Sequence, residues 1–125
     1  MVNEALFNEI TQLHADICSA LADPRRILIL YALAEKPSNV SDIAVQVGIS
    51  QPAASRHLNI LRERGMVTAQ REGQSVIYTL TDQRSIQALD LLRSVLGDTL
   101  KSRGQLATAV LDATPSINSQ HDTSE

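Results

Sequence analysis

Residues 40–67 constrain the fold more than any other part of the chain, because they hold two short helical patterns around a tight turn. Apolar residues at three- and four-residue spacing form the first helical stripe: Val40, Ile43, Ala44 and Val47. Gly48 is suited to end that helix, since glycine enters the left-handed conformation at little steric cost. Ser50 stands where a helix N-cap belongs, and Pro52 falls in the first turn of a second helix. This arrangement is typical of a helix-turn-helix.

The second predicted helix divides its side chains between a core and solvent. We expect its apolar residues to face the core: Ala54, Leu58, Leu61 and, at the edge, Ile60. We expect its polar residues to face outward: Gln51, Ser55, Arg56, Asn59, Arg62 and Glu63. An ordinary pair of helices with a solvated polar face would show the same pattern, so this segment alone does not establish a function.

The outward residues have the chemistry of a helix that reads the major groove of DNA. Gln51 and Arg56 can make paired hydrogen bonds to adenine or guanine edges. Ser55 can bond a base or a phosphate, and His57 can bond a phosphate. Amides at the helix N-terminus, around residues 50–53, can also bind phosphate. The candidate contacts of this helix are therefore Ser50, Gln51, Ser55, Arg56, His57 and Asn59.

A β-hairpin is predicted directly after this helix. Residues 67–71 and 75–80 read as two short strands, with Glu72, Gly73 and Gln74 as the turn. In this position a hairpin is a wing, which would place Arg71, Gln74 and Ser75 beside the DNA backbone or the minor groove. The hairpin could instead merely cap the core. Helix and hairpin together favour DNA binding over both alternatives.

These segments together resemble the ArsR/SmtB family of bacterial winged-helix repressors. The resemblance covers residues 17–100, and it is carried by ALADPRRILILYAL, SQPAASRHLNILRERGMV and the REGQ turn. It implies a mostly α fold with a small β-hairpin wing (α+β), dimerising through its N- and C-terminal helices. It also implies a homodimeric repressor that leaves its operator when a small effector binds. Two identical reading helices related by a two-fold axis call for an inverted-repeat operator of double-stranded DNA.

Length and charge agree with a site-specific DNA binder. The 125-residue chain has the length of one compact domain, placed at residues 1–107, with residues 108–125 expected to form a disordered polar tail. Aromatic residues make up 2%, too few for a protein that stacks single-stranded bases. Four arginines and two glutamates give residues 50–76 a charge of +2, so the remainder carries −5 of the total −3. A basic reading surface on an acidic body disfavours non-specific binding.

The location expected from the sequence is the cytoplasm. No run of about eighteen apolar residues could span a membrane. The N-terminus lacks the charged and apolar regions of a signal peptide.

Both ends of the predicted domain carry more apolar surface than one small core needs. Residues 3–22 read as a helix with two apolar stripes: Leu6, Ile10, Leu13 and Ile17, and alongside them Phe7, His14 and Cys18. Thr81 or Asp82 should cap a last helix with its own stripe: Ile86, Leu89, Leu92, Val95, Leu96 and Leu100. We expect a homodimer built from residues 3–22 and 82–102, which would bury both surpluses.

Two arginines stand in the first turn of the helix that Asp23 and Pro24 begin. The positive end of the helix dipole disfavours Arg25 and Arg26 there, so both need another partner. We favour acidic side chains of the body over DNA phosphate.

The effector is not evident from the sequence. The family's metal sensors place cysteines at the positions of residues 38–40, where this chain has none. A second family site uses Asp and His on the last helix, and here Asp82 is followed by Arg84, Val95 and Asp98 at the matching positions. Oxidant-sensing relatives use two cysteines, and this chain has one. No cofactor is therefore predicted, and metal at the family's usual sites is not supported.

One pair of residues remains as a candidate effector site. His14 and Cys18, four residues apart on one helix, could present two ligands to a metal. We expect instead that Cys18 is a buried small hydrophobe beside Ile17 and Leu21.

The sequence disfavours two other classes of function. A dimeric protein-interaction module without a specific DNA site would need an apolar outer face on the second helix, and that face is polar. An enzyme is not predicted, because His14, His57 and His121 lie in three separate segments and form no catalytic set.

Overall fold

The N-terminal helix changes register along its length. The computed structural model describes residues 2–113, with side chains described as far as residue 105. Helix α1 spans Glu4–Leu13, is capped by Asn3, and continues into a π-helical segment, His14–Cys18. There the Ser19 amide donates to His14 O, rather than to Ala15 O as an α-helix would require. The sequence predicted a regular helix over residues 3–22. The π register was not foreseen, because it leaves little trace in apolar spacing over so few residues.

Helix α2 begins where the sequence indicated. It spans Pro24–Glu35, and the Asp23 carboxylate accepts a hydrogen bond from the Arg25 amide at 2.8 Å. Proline at the first position loses no hydrogen bond, because the first-turn amides have no helical partner. The inner face of α2 buries Ile29, Leu30 and Leu33.

The helix-turn-helix prediction is confirmed. Helix α3 spans Val40–Val47 and ends at Gly48, whose φ of 78° is the left-handed conformation that glycine adopts easily. Helix α4 spans Gln51–Glu63, and the Ser50 hydroxyl accepts from the Ala53 amide at 3.1 Å.

The core lies between α2, α3, α4 and the base of the hairpin. Its buried apolar residues beyond α2 are Ala20, Ile43, Ala44, Ala54, Leu58, Leu61, Met66, Val67, Tyr78 and Leu80. Ser38 and Tyr78 exchange two backbone hydrogen bonds, of 3.2 and 2.8 Å, which attach the hairpin to the loop before α3. The wing is thereby fixed to the same body that carries the two helices.

The hairpin consists of β1, Val67–Glu72, and β2, Ser75–Leu80, paired antiparallel. Val67 pairs with Leu80 at its base, and Glu72 with Ser75 next to the turn. The sequence had placed Glu72 in the turn, but Glu72 is the last residue of the first strand. Gly73 has a φ of 64°, which an L side chain would adopt only with strain.

Helix α5 spans Arg84–Ala113. The Asp82 carboxylate accepts from the Arg84 amide at 2.9 Å, as expected of a residue that starts this helix. The helix continues past Thr108, where the sequence had suggested that a disordered tail begins. Residues 114–125 of that expected tail lie outside the described residues.

The chain divides after Gln87 into two compact units, Met1–Gln87 and Ala88–Glu125. In the second unit, five apolar side chains of α5 are more than half exposed: Leu91, Leu92, Val95, Leu96 and Leu100. We call these five residues the open stripe of α5. Leu89, which the sequence placed on one apolar stripe with Leu92 and Val95, is instead buried at 7% exposure. Across residues 2–113, no helix combines the length and the apolar character that crossing a membrane requires.

Candidate nucleic-acid interface

The outer face of α4 carries the polar side chains that the sequence assigned to it. Gln51, Arg56 and Asn59 are exposed, and Ser55 is half-buried. The opposite face buries Ala54, Leu58 and Leu61, each at 0% exposure. Apolar residues at three- and four-residue spacing therefore hold the helix on the body and turn one coherent polar face outward.

The N-terminus of α4 has fewer amides to offer a phosphate than expected. The Ser50 hydroxyl accepts from the Ala53 amide at 3.1 Å, and the Ser50 carbonyl accepts from the Ala54 amide at 2.9 Å. Pro52 has no N–H. The exposed Ser50 hydroxyl can still donate to a phosphate oxygen while it accepts from the helix.

The wing carries its three candidate contacts on exposed positions. Arg71, Gln74 and Ser75 are all exposed. A groove of about 340 Å³ separates the second strand from the start of α3; it is lined by Asn39, Val40, Ser41, Gln74, Ser75, Val76 and Tyr78. Gln74 and Ser75 therefore face the first turn of α3 across a shared concave surface.

The structure corrects the placement of His57, which was expected at a phosphate. His57 is 4% exposed, and its Nδ1 atom lies 3.2 Å from Nη1 of Arg26. It follows Ala54 by three residues and precedes Leu61 by four, so it belongs to the core-facing stripe of the helix. The sequence shows this spacing, but the polar side chain of His57 suggested a phosphate contact instead.

The surroundings of His57 keep its imidazole neutral. Burial lowers the pKa of His57 below its usual value of 6.5, and the cations Arg26, Arg25 and Arg56 lower it further against an opposing effect of Asp23. Because a guanidinium can only donate, the His57 Nδ1 atom accepts and the proton resides on Nε2. Within the described residues this buried Nε2 has no hydrogen-bond partner.

The two arginines at the start of α2 have different partners. Arg25 pairs with Asp23 through contacts of 3.1 and 3.0 Å, as the sequence favoured, and this pairing lowers the pKa of Asp23 from 3.8 to about 2. Arg26 does not follow the prediction of an acidic partner. It donates to the Ala20 carbonyl at 2.7 Å and to the Ser19 carbonyl at 3.4 Å, besides its contact with His57.

Arg64 immediately follows α4 and contacts the N-terminal helix instead of pointing freely to solvent. Its Nη1 atom donates to the Ala15 carbonyl at 3.0 Å and lies 3.6 Å from the Asp16 carboxylate. This contact borders an open groove of about 510 Å³ between the N-terminal helix and the end of α4. Sequence reasoning assigned no role to Arg64, since neither contact leaves a local pattern.

The candidate effector residues His14 and Cys18 both lie in the π-helical segment and are exposed. The expectation that Cys18 is buried was therefore wrong: its neighbour Ile17 is only half-buried as well. Among the described side chains, no three His, Cys, Asp or Glu residues are grouped closely enough to hold a metal ion.

The positions matching the family's metal sites have other structural roles. Asp82 is paired with Arg84 at 2.7 Å, which lowers the pKa of Asp82 from 3.8 to about 2. Ser38 is buried, and its hydroxyl donates to the Lys36 carbonyl at 3.2 Å. These residues stabilise the start of α5 and the loop before α3, respectively.

Comparison with known proteins is consistent with this architecture. Residues 23–69 match the family model described as bacterial regulatory protein, arsR family. The chain is 34% identical to the nodulation protein NolR of Rhizobium meliloti, over 73% of this chain and 75% of that protein. It is 31% identical to the biofilm growth-associated repressor of Xylella fastidiosa strain Temecula1, over 65% of this chain and 71% of that protein.

The fold also matches a solved structure. The homodimeric winged helix-turn-helix DNA-binding domain Mb0332 from Mycobacterium bovis superposes with a TM-score of 0.69 and 29% identity. The match covers 81% of this chain and 93% of that domain.

Proposed function

This chain belongs to the ArsR family of bacterial regulatory proteins, and we propose that it is a homodimeric transcriptional repressor that binds an inverted-repeat operator. The observation that carries the proposal is the outer face of α4. Gln51, Ser55, Arg56 and Asn59 project from a helix whose inner side is anchored by fully buried residues. A rigidly held helix with that set of donors and acceptors suits the major groove. Such a repressor works where the chromosome is, in the bacterial cytoplasm.

The contacts divide between base edges and the DNA backbone. Gln51 and Arg56 are the proposed base readers, because amide and guanidinium groups can each bond one base edge twice. Asn59 and Ser55 supplement them. Arg71, Gln74 and Ser75 of the wing are assigned to phosphates or the minor groove, where they set the register without reading sequence. Ser50 donates to a phosphate, and buried His57 is left out of direct contact.

Exposed apolar side chains support the homodimer. On α1, Leu6, Phe7, Ile10 and Leu13 are between 42% and 63% exposed, and the open stripe of α5 is exposed to a similar degree. Stripes of this kind are unusual on a monomer, since water contact with apolar surface is unfavourable. A two-fold dimer places the two α4 helices about one helical turn apart along DNA, which gives the operator its inverted repeat.

We also propose that a small effector releases the protein from its operator, and that this effector is not a metal at the family's usual positions. Residues 38–40 offer no thiolate, and Asp82 is paired with Arg84. A ligand that changes how the two protomers pack would change the spacing of the two α4 helices and thereby lower operator affinity.

The decisive experiment measures binding to the duplex upstream of the protein's own gene by fluorescence anisotropy, with footprinting to locate the site. The triple variant Gln51→Ala, Ser55→Ala, Arg56→Ala should lose preference for this duplex over a scrambled one. Lys36→Ala, which removes one exposed cation from the end of α2, is the control and should keep that preference. Unchanged affinity and specificity in the triple variant would exclude α4 as the reading element.

A further inference from the structure

The π-helical segment exposes a backbone carbonyl to contacts from elsewhere in the fold. Because the Ser19 amide donates to His14 O, it no longer donates to Ala15 O. The Ala15 carbonyl instead accepts from the Ser19 hydroxyl and from Nη1 of Arg64. Arg64 caps the C-terminal end of α4. The register shift in the first helix is thus coupled to one end of the reading helix by a charge-assisted hydrogen bond.

A second arginine links the same stretch of chain to the middle of α4. The half-buried Arg26 donates to the carbonyls of Ser19 and Ala20, directly after the π-helical segment. Its remaining Nη1 atom lies 3.2 Å from Nδ1 of His57. One guanidinium therefore joins two carbonyls of the N-terminal helix to a buried side chain of the reading helix.

We propose that Arg26 and Arg64 form a brace that sets the position of α4 relative to the N-terminal helix, and that both are positioning residues for operator recognition. This inference rests on the proposed function. Apolar packing by Ala54, Leu58 and Leu61 holds α4 on the body, but such contacts have little directionality. The guanidinium contacts are directional, so they limit sliding and rotation of α4 along its packed face. Base readout needs this restriction, since a site displaced by less than an ångström loses its hydrogen bonds.

The brace links the proposed dimer interface to the position of α4. The N-terminal helix carries exposed apolar residues that the proposed dimer covers, and the brace attaches to the end of that helix. A change in how two N-terminal helices pack is therefore transmitted to α4 through Arg26 and Arg64, without any change in the core.

The test compares operator and scrambled duplexes of equal length at matched salt, with thermal unfolding measured for every protein. Arg64→Ala should lower operator affinity about tenfold and change scrambled-duplex affinity less than twofold. Arg62→Ala is the matched control, an exposed cation two residues earlier that should affect both duplexes alike. Arg26→Gln should behave as Arg64→Ala, because a glutamine cannot reach all three partners.

The pH profile separates positioning from simple stability. Protonated His57 cannot accept from Arg26, so wild-type operator affinity should fall as the pH drops below the ordinary histidine range. The charged groups facing His57 are Asp23, Arg25, Arg26 and Arg56, and the pKa of Asp23 lies near 2, outside this window. His57→Asn keeps an acceptor near the Nδ1 position but does not titrate. It should retain operator binding with a flatter pH profile.

Several results would overturn the brace. Equal losses on both duplexes in Arg64→Ala and Arg26→Gln, or no loss on either, would contradict it. A parallel fall in melting temperature and in both affinities would make the arginines purely structural. Wild-type protein that does not distinguish the two duplexes would instead reject the proposed function itself.

Discussion

Helix α4 buries four residues within the chain, whereas α1 buries none, although both carry a clear apolar stripe. The stripe of α4 contacts α2, α3 and the hairpin, and its outer face is left polar. The stripe of α1 stays open, with Phe7 63% exposed. The same amphipathic pattern therefore serves two purposes. In α4 it orients the proposed DNA-binding face, and in α1 it marks the surface that the proposed dimer would cover.

The largest effect expected from this contrast is loss of the dimer. Ile10→Asp places a charge on the open stripe of α1, where burial against a second chain would leave it unpaired. We expect monomers in sedimentation velocity at micromolar protein and no detectable operator binding. Asn8→Asp adds the same charge two residues away, on the opposite side of the helix, and should remain dimeric. A dimeric Ile10→Asp protein would place the interface elsewhere.

The next effect is on stability and concerns the closed stripe of α4. Leu58→Ala removes a side chain with 0% exposure and should lower the free energy of unfolding by about 2–5 kcal/mol. Urea unfolding monitored by circular dichroism measures this. Ile10→Ala should lose less, and its loss should depend on protein concentration, because its burial requires association. Equal, concentration-independent losses in both variants would remove the distinction between the two helices.

Helix caps give a smaller and more local comparison. Ser50→Ala removes the hydroxyl that accepts from the Ala53 amide, and it should lower global stability by about 1 kcal/mol. Asn3 accepts from the Leu6 amide in a similar way at 2.8 Å. Because α1 buries none of its residues against the described part of the chain, Asn3→Ala should raise amide exchange in α1 with little global change. A global loss as large as that of Ser50→Ala would show that α1 unfolds together with the core.

The smallest effect expected is on acid unfolding. The pKa of Asp23 is lowered from 3.8 to about 2, so its pairing with Arg25 stabilises the fold above 3.8 and is lost as the pH falls toward 2. Arg25 is exposed and Asp23 is half-buried, so solvent screening limits the contribution of the pair. Asp23→Asn retains a capping oxygen without the charge, and its stability should change less with pH in this window. Arg25→Gln should flatten the curve in the same way, whereas a wild-type slope in both variants would assign it to other carboxylates.

Much of the reading element could be predicted from the sequence, because local rules govern it. Gly48, Ser50 and Pro52 specify the turn and the start of α4 through backbone conformations that few residues tolerate. Apolar spacing then specifies which side of α4 faces inward. The prediction that His57 contacts a phosphate was wrong, because its polar side chain suggested an exposed position. Its buried imidazole accepts a hydrogen bond from Arg26, and the sequence does not show that Arg26 lies beside it.

The N-terminal region was less predictable, because its contacts join residues that are distant along the chain. Apolar spacing predicted a helix with surplus apolar surface. The π register, in contrast, depends on which side chains from other elements contact the helix backbone. Arg64 reaches Ala15 across the fold, and Cys18 is exposed because the segment that carries it lies at the margin of the packed body. Neither the contact of Arg64 with Ala15 nor the exposure of Cys18 can be predicted from neighbouring residues in the sequence.

The sequence by itself therefore determined helices α2 to α4, the polar face of α4 and the wing, since each depends on periodicity, caps and turns within a few residues. Its longer motifs carried the resemblance to the family. Only the tertiary structure decided the contact between His57 and Arg26, the other partners of Arg26 and Arg64 and the exposure of Cys18. These features depend on groups that are distant along the chain and adjacent in space. Hydrogen bonds and burial respond to that spatial proximity, which no local pattern encodes.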